Sequence, residues 1–270
     1  MRLVNYDSGE GPRAGVLRDD RVLDCGGSVD ELLRAGDVSA LEPSGNEGTA
    51  LDEVRLLPPV LAPSKLICIG LNYRSHAAEA GLEPPEVPTF FAKFANALAA
   101  PGAPVELPAY SQKVDYEAEV AFVIGARARD VTEDHALAHV AGYTLLNDLS
   151  ARDYQFMTPQ WMPGKVFDGS APCGPALVTP DEAGAHDAIE LSLELNGETM
   201  QSASTADLVH SVPALVAYLS KLMTLEPGDL VSTGTPAGVG STRDPHVWLK
   251  PGDEMVVSSP TLGRLETRLA

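Results

Sequence analysis

VDYEAEVAFVIG, residues 114 to 125, decides how this chain folds. Glu117 and Glu119 stand two apart in a run otherwise made of strand formers: Val114, Tyr116, Val120, Phe122, Val123 and Ile124. Successive side chains of a strand leave on opposite faces, so both carboxylates share one face while Ala118, Val120, Phe122 and Ile124 on the other phase bury against a core. Adjacent carboxylates repel, and burial sharpens the repulsion unless a proton or a cation intervenes. A hard divalent ion with oxygen ligands is the simplest physical remedy. The alternative open to this stretch alone is an exposed edge strand with two solvated glutamates.

The 270 residues, 44% hydrophobic and 21% charged, are ordinary globular material, enough for one large domain or one domain with a small companion. Lys plus Arg number 19 against 38 Asp plus Glu, a formal charge of -19. A field of that sign disfavours nucleic acid and anionic membrane, yet admits a small anion where local cations dominate. No basic patch with interleaved aromatics suggests nucleic-acid binding, and no run approaches the roughly 18 apolar residues of a membrane span. MRLVNYDSGEG at the start has no apolar signal core. Cys25, Cys68 and Cys173 are odd in number and widely spaced, which predicts free thiols in a reducing compartment, the cytoplasm by default.

Working outward, RLVNY, AGVLRD and RVLDCGG predict a hairpin-rich start, followed by a helix in SVDELLRAG that Ser28 caps with Glu31 three residues on. A polar stretch, Glu42 to Thr49, leads to Pro58, Pro59 and Pro63, which read as a rigid linker into a buried strand, Lys65 to Gly70. The expected organisation is a small N-terminal β-rich domain over residues 1–60 and a second domain over 61–270. NYRSHAAEA reads as a short helix ended by Gly81, with His76 and Glu79 on one face. TEDHALAHVAG reads as a helix and GYTLLND as a strand; AIELSLELNGE predicts a hairpin turning at Asn196-Gly197. Asp207 to Leu222 reads as helical despite Pro213, while EPGD and KPGD are turns before LVSTG and EMVVSS. Residues 149 to 169 mix polar side chains with aromatics and methionines, as suits a loop over a site. STGTPAGVGST lacks the Lys-Ser/Thr ending of a phosphate loop. Strands dominate, so the predicted class is α+β, predominantly β, with mixed sheets rolled into a sandwich or barrel and a few peripheral helices.

Five ordered pieces, IGLNYRSHAAE, VDYEAEVAFVIG, NDLSARDYQ, QWMPGKVFDG and STGTPAGVG, resemble the fumarylacetoacetate hydrolase family over roughly Leu66 to Val256. That resemblance implies a homodimer of β-rich rolls with one divalent cation per chain, magnesium or manganese and sometimes calcium, held by Glu117, Glu119 and Asp148. Residues alone leave Asp148 open as a strand-end turn or cap. His76 and Glu79 match the family's catalytic helix, where a carboxylate on one imidazole nitrogen frees the other to move a proton. Lys165 matches the active-site lysine. Arg152, Gln155 and Thr235 match substrate-binding residues; Lys93 matches either a substrate contact or a structural ion pair. Asp168 and Gln160 are expected to orient others, and Tyr110, Tyr154, Met157 and Met162 to shape the pocket.

The activity the resemblance implies is hydrolysis of a carbon–carbon bond in an acylpyruvate or fumarylacetoacetate-like keto acid. Decarboxylation or isomerisation of oxaloacetate or hydroxymuconate-type acids through the same metal-bound enolate is the alternative. A noncatalytic, metal-stabilised interaction protein is an alternative of another class, but leaves His76, Glu79 and Lys165 without a task.

Overall fold

A computed structural model of the chain describes residues 1–36, 38, 41, 43–45 and 47–270; Glu42 and Asn46 of the polar stretch lie outside the described residues. Strand Ala118–Ile124 is buried at every position and runs inside a 12-stranded sheet. Val140–Asn147 pairs with it antiparallel on one side, from Ala118↔Asn147 to Ile124↔Val140, and Leu230–Ser232 pairs on the other, with Ala121↔Ser232. An edge strand with solvated glutamates is thereby excluded.

Apart from Glu119, both phases of this strand are apolar because both faces of the sheet are covered. Val120, Phe122 and Ile124 join a core with Leu191, Leu193, Met255, Val257 and Leu265, which belong to a second, five-stranded sheet. Ala121 and Val123 join another with Leu3, Val29, Leu33 and Leu177. The sheets are mixed: Leu230–Ser232 runs parallel to Leu66–Gly70, whereas most neighbours are antiparallel. The result is the β-rich sandwich that strand patterning predicts.

The hairpins Arg2–Asp7, Pro12–Arg18 and Arg21–Gly26 form as expected. They extend the large sheet, since Arg2–Asp7 pairs with Ala171–Val178 through Arg2↔Val178 and Leu3↔Leu177. The proline linker is pinned. Buried Asn5 donates to the carbonyls of Pro58 and Pro59, both at 3.1 Å, and Asp30 accepts from the amides of Leu61 and Ala62. Helix Val29–Ala35 carries the expected capping box of Ser28 and Glu31.

Three helical expectations shift. NYRSHAAEA forms a helix at Arg74–Glu79 only. TEDHALAHVAG gives a single turn, Glu133–Ala136, and a short 3-10 turn before the chain enters the sheet at Val140. The later helix begins at Val212 with Ser211 as its cap, which puts Pro213 in the first turn where its missing N–H has no intrahelical partner to lose. The two Pro-Gly-Asp turns are built alike. Asp229 accepts from the Glu226 amide at 2.7 Å, and Asp253 from the Lys250 amide at 2.8 Å. No helix among the described residues is long and apolar enough to cross a membrane.

Candidate active site

Strand register builds the acidic centre. Because Ala118 pairs with Asn147, the residues just outside that pair meet, and the Asp148 amide donates to the Glu117 carbonyl at 2.8 Å. The Asn147 side chain accepts from the Glu117 amide at 3.0 Å. Glu117, Glu119 and Asp148 are buried, and one carboxylate oxygen of each lies within 4.8 Å of the others.

Their partners are unequal. Glu117 contacts Arg152 Nη2 at 2.7 Å and Lys165 Nζ at 2.6 Å. Burial pushes this carboxyl up, but Arg152 and Lys165 outweigh it and hold it down at about 2. Asp148 contacts Lys165 Nζ at 2.8 Å and Lys93 Nζ at 2.7 Å. Glu119 makes no ion pair among the described residues: it accepts from the Ser232 hydroxyl and, at 3.1 Å, from the Gly234 amide, with the Lys165 charge as a lesser influence. Burial, then the Asp148 and Glu117 charges, drive its carboxyl well above the ordinary range. Lys165 titrates higher than a free lysine, since Asp148 and Glu117 overcome the lowering effect of burial.

This donor set fits a hard cation. Asp148 Oδ1 is buried with no hydrogen-bond partner, its approach to Lys93 lacking hydrogen-bond geometry, and Glu119 makes no ion pair among the described residues. Three oxygen donors could hold a divalent ion and leave positions for water or a ligand.

Above the carboxylates lies a cavity of about 170 Å³. His76 lines it from helix Arg74–Glu79, with Nδ1 3.4 Å from Glu79 Oε2, while Glu79 Oε1 accepts from the Gly238 amide at 2.9 Å. Glu79 thus ties the imidazole to the glycine-rich turn. Lys165 closes the floor, its ammonium 5.0 Å from the Phe91 ring centre. Arg152 and Gln155 also line the cavity; Arg152 Nη1 donates to Gln155 Oε1 at 2.9 Å.

Two expected substrate residues stand elsewhere in the hydrogen-bond network. Thr235 lines the cavity, but its hydroxyl donates to the Ala118 carbonyl at 3.0 Å and accepts from Gln201 Nε2 at 2.9 Å. Its only proton is engaged, so that hydroxyl supports the strand and has no donor left for a carboxylate. Lys93 does not line the cavity; it donates to the carbonyls of Leu149, Lys165 and Ser170 and holds Asp148 from behind. Of its two expected roles, the structural ion pair matches this geometry.

The pocket expectations also shift. Tyr110 and Tyr154 meet at a tilt of 58° with centroids 4.5 Å apart without lining the cavity, and Met157 and Met162 do not line it. Leu71, Leu82, Phe91, Phe156 and Trp161 supply its apolar wall. Asp168 is exposed and accepts from Asn96 at 2.6 Å, and Gln160 is exposed outside the cavity.

Two supports had no sequence signal beyond their polarity. Asp115, fully buried, accepts from the amides of Gly240 at 2.7 Å and Ser241 at 3.0 Å and from Arg152 Nε at 2.9 Å. Gln201 accepts from the Ala118 amide between the two glutamates and donates to the Pro236 carbonyl, both at 2.9 Å.

The β-rich roll thus holds a buried carboxylate triad that could bind a divalent cation, beneath an imidazole tethered by Glu79. The chain belongs to a known family of this architecture: the family described as fumarylacetoacetate (FAA) hydrolase C-terminal matches residues 65–270. "Oxaloacetate tautomerase fahd2, mitochondrial" of Xenopus laevis is 39% identical over 286 residues, 98% of this chain and 89% of that protein. The solved 5-carboxymethyl-2-hydroxymuconate delta-isomerase of Mycobacterium smegmatis superposes with a TM-score of 0.86 at 34% identity, covering 100% of this chain and 99% of the other. A fumarylacetoacetate hydrolase from Exiguobacterium antarcticum does so with the same TM-score, identity and coverage. The family is one of enzymes, and relatives named tautomerase and isomerase are prominent in it.

Proposed function

We propose that this protein is a tautomerase or isomerase of small 2-oxo acids, moving a proton between the carbon beside the keto group and an oxygen of the enol. The observation that carries this reading is the His76 imidazole, facing the cavity above three buried carboxylates with Nδ1 against Glu79. The tautomerase and isomerase relatives favour it over the carbon–carbon hydrolysis expected from sequence resemblance.

A divalent cation held by Glu117, Glu119 and Asp148, magnesium or manganese with calcium as a further candidate, supplies Lewis-acid polarisation of the substrate's keto oxygen when bound. The remaining work belongs to side chains. Glu79 holds the Nδ1 proton, leaving His76 Nε2 to take the proton from the carbon beside the keto group and deliver it to the enol oxygen, or to carry it the opposite way. Lys165, kept charged by Asp148 and Glu117, offsets negative charge that develops on the substrate oxygen. Gln155 accepts from Arg152 through Oε1, so its amide nitrogen is the end left for a substrate oxygen. Phe91 and Trp161 exclude water from the far wall, where a dry site strengthens each polar contact.

Hydrolysis is the second reading, since the same His76–Glu79 pair can activate water and a solved hydrolase shares this fold. Decarboxylation of oxaloacetate would use the same centre. Oxaloacetate supplied as pure keto or enol form, with magnesium, separates the three: enol absorbance approaching the same equilibrium value faster from either side, with no carbon dioxide and no fragments, is the expected result. Fragments from an acylpyruvate without accelerated interconversion would replace this reading with hydrolysis. A homodimer is proposed with it, and light scattering tests that state. For the compartment, the free cysteines support a reducing setting, whereas the Xenopus relative is named mitochondrial, a location that weighs against cytoplasm.

A further inference from the structure

We infer that Leu71 is a size-selecting wall of the cavity, aimed into it by a left-handed backbone. The inference deepens the 2-oxo acid reading, on which it rests for the class of ligand. Five non-glycine residues among those described have positive φ, and four of them, Asp19, Asp20, Asp130 and Asn196, are Asp or Asn. Those side chains are short and stabilise such a conformation by local hydrogen bonds. Leu71, at φ 55°, has no such compensation. A branched apolar residue there sets its Cβ against its own carbonyl, a strain that persists only where neighbours over-determine it.

The neighbours do so here. Next in the chain, fully buried Asn72 donates to the carbonyls of His210 at 3.1 Å and Thr233 at 2.9 Å. It accepts from the His210 amide at 2.8 Å, and its own carbonyl accepts from the Val209 amide at 2.7 Å. Gly234, at φ 96°, lies so close that a Cβ there would stand 3.1 Å from Asn72 Cβ. On the other side Trp161 packs directly over Gly70. Between these clamps the chain has one path, and it carries Leu71 into the cavity wall with Leu82, Phe91 and Trp161.

The arrangement has a chemical consequence. The cavity is about 170 Å³ and its deep end is polar, with Glu117, Glu119, Asp148 and Lys165 all buried. An acid whose oxo-carboxylate end reaches that floor extends its substituent toward the apolar wall. Leu71 brings a four-carbon side chain to that wall with no donor or charge. Leu71 thus favours short 2-oxo acids over those with a bulky substituent. Glycine would suit the backbone better, so leucine here trades conformational ease for selection by size.

The test uses full-length protein with magnesium, comparing wild type, Leu71→Gly and Leu71→Ala by calorimetric binding of oxalate, a small unreactive probe, and of benzoylpyruvate, a bulky one. Benzoylpyruvate affinity relative to oxalate is expected to rise about tenfold in both variants, the scale on which one apolar group discriminates. Leu71→Gly should melt at or above Leu71→Ala, because only glycine is relieved of the backbone strain. An unchanged affinity ratio in both variants, or no binding of either acid by any of the three proteins, would overturn the assignment. Melting of Leu71→Gly well below Leu71→Ala would overturn the strained-backbone part of it. Binding is read without turnover, so a wild type that binds both acids yet interconverts no keto acid refutes the tautomerase reading alone.

Discussion

Lys93 Nζ lies 2.7 Å from Asp148 Oδ1, with both side chains out of solvent and Lys93 outside the cavity. The lysine works from beneath the acidic centre, also crosslinking the Leu149, Lys165 and Ser170 carbonyls. Lys93→Met keeps the volume and removes the charge, leaving Asp148 with Lys165 as its cationic contact. Breaking a buried pair this way costs about 3–5 kcal/mol. Urea unfolding of metal-free protein should show that loss, and a change under 1 kcal/mol would mean that Lys165 alone satisfies Asp148.

Metal binding and proton transfer are assigned to different residues, so they should separate. His76→Ala should lower turnover by about a hundredfold or more and leave calorimetric metal affinity near wild type. Glu119→Gln should lose both. It should also stabilise the metal-free protein, because it removes the carboxylate that burial, Asp148 and Glu117 make costly to ionise. Equal loss of metal binding in the two variants would refute the division of labour.

How much of this centre could be read in advance depended on whether the signal was local. VDYEAEVAFVIG announced a strand and two carboxylates on one face because period-two patterning lies within the segment. Asp148 is brought to Glu117 by a pairing between positions 30 apart, as the Glu117–Asn147 bond shows, and no local pattern encodes it. Family resemblance supplied that residue. Asp115 and Gln201 stayed hidden for the same reason: each is an ordinary polar residue until Arg152, Gly240 or Thr235 is folded against it. Helix ends shifted where tertiary pairing took over, as at Val140, which sheet pairing claims from a sequence with helical propensity. Tyr110, Tyr154, Met157 and Met162, expected to shape the pocket, do not line the cavity, since nothing in a loop sequence tells which side chains turn inward.

Away from the site, Arg13 Nη2 lies 2.5 Å from Asp24 Oδ2, and the Tyr6 hydroxyl donates to Asp24 Oδ1 at 2.8 Å. The Arg13 hydrogen bond, with lesser help from Tyr6, lowers the Asp24 carboxyl from 3.8 to about 2. A depressed carboxyl contributes stability above its unfolded value and loses it as pH falls through the folded one. Wild type should therefore lose stability relative to Asp24→Asn as pH drops from 3.8 to about 2. Salt should shrink the difference, because the pair is partly exposed. Parallel acid-unfolding curves through that window would show that the pair contributes nothing measurable.

Gly70 and Trp161 make the most exacting contact in the cavity wall. A Cβ on Gly70 would stand 2.2 Å from Trp161 Cζ3, well inside contact distance, so Gly70→Ala must displace the indole. Trp161 meets Phe91 edge-on with centroids 5.9 Å apart, and Phe91 carries the Lys165 ammonium over its ring. Moving the indole therefore disturbs the wall while leaving Glu117, Glu119 and Asp148 in place. The expected result is raised KM, near-normal metal affinity and a shift in tryptophan emission, at an overpacking cost of about 1–3 kcal/mol. Emission is interpretable because the chain has 2 tryptophans, and Trp248 packs separately against His246. Should Gly70→Ala weaken metal binding as severely as Glu119→Gln, the wall and the acidic floor would be mechanically coupled, and the assignment of Trp161 to substrate alone would fail.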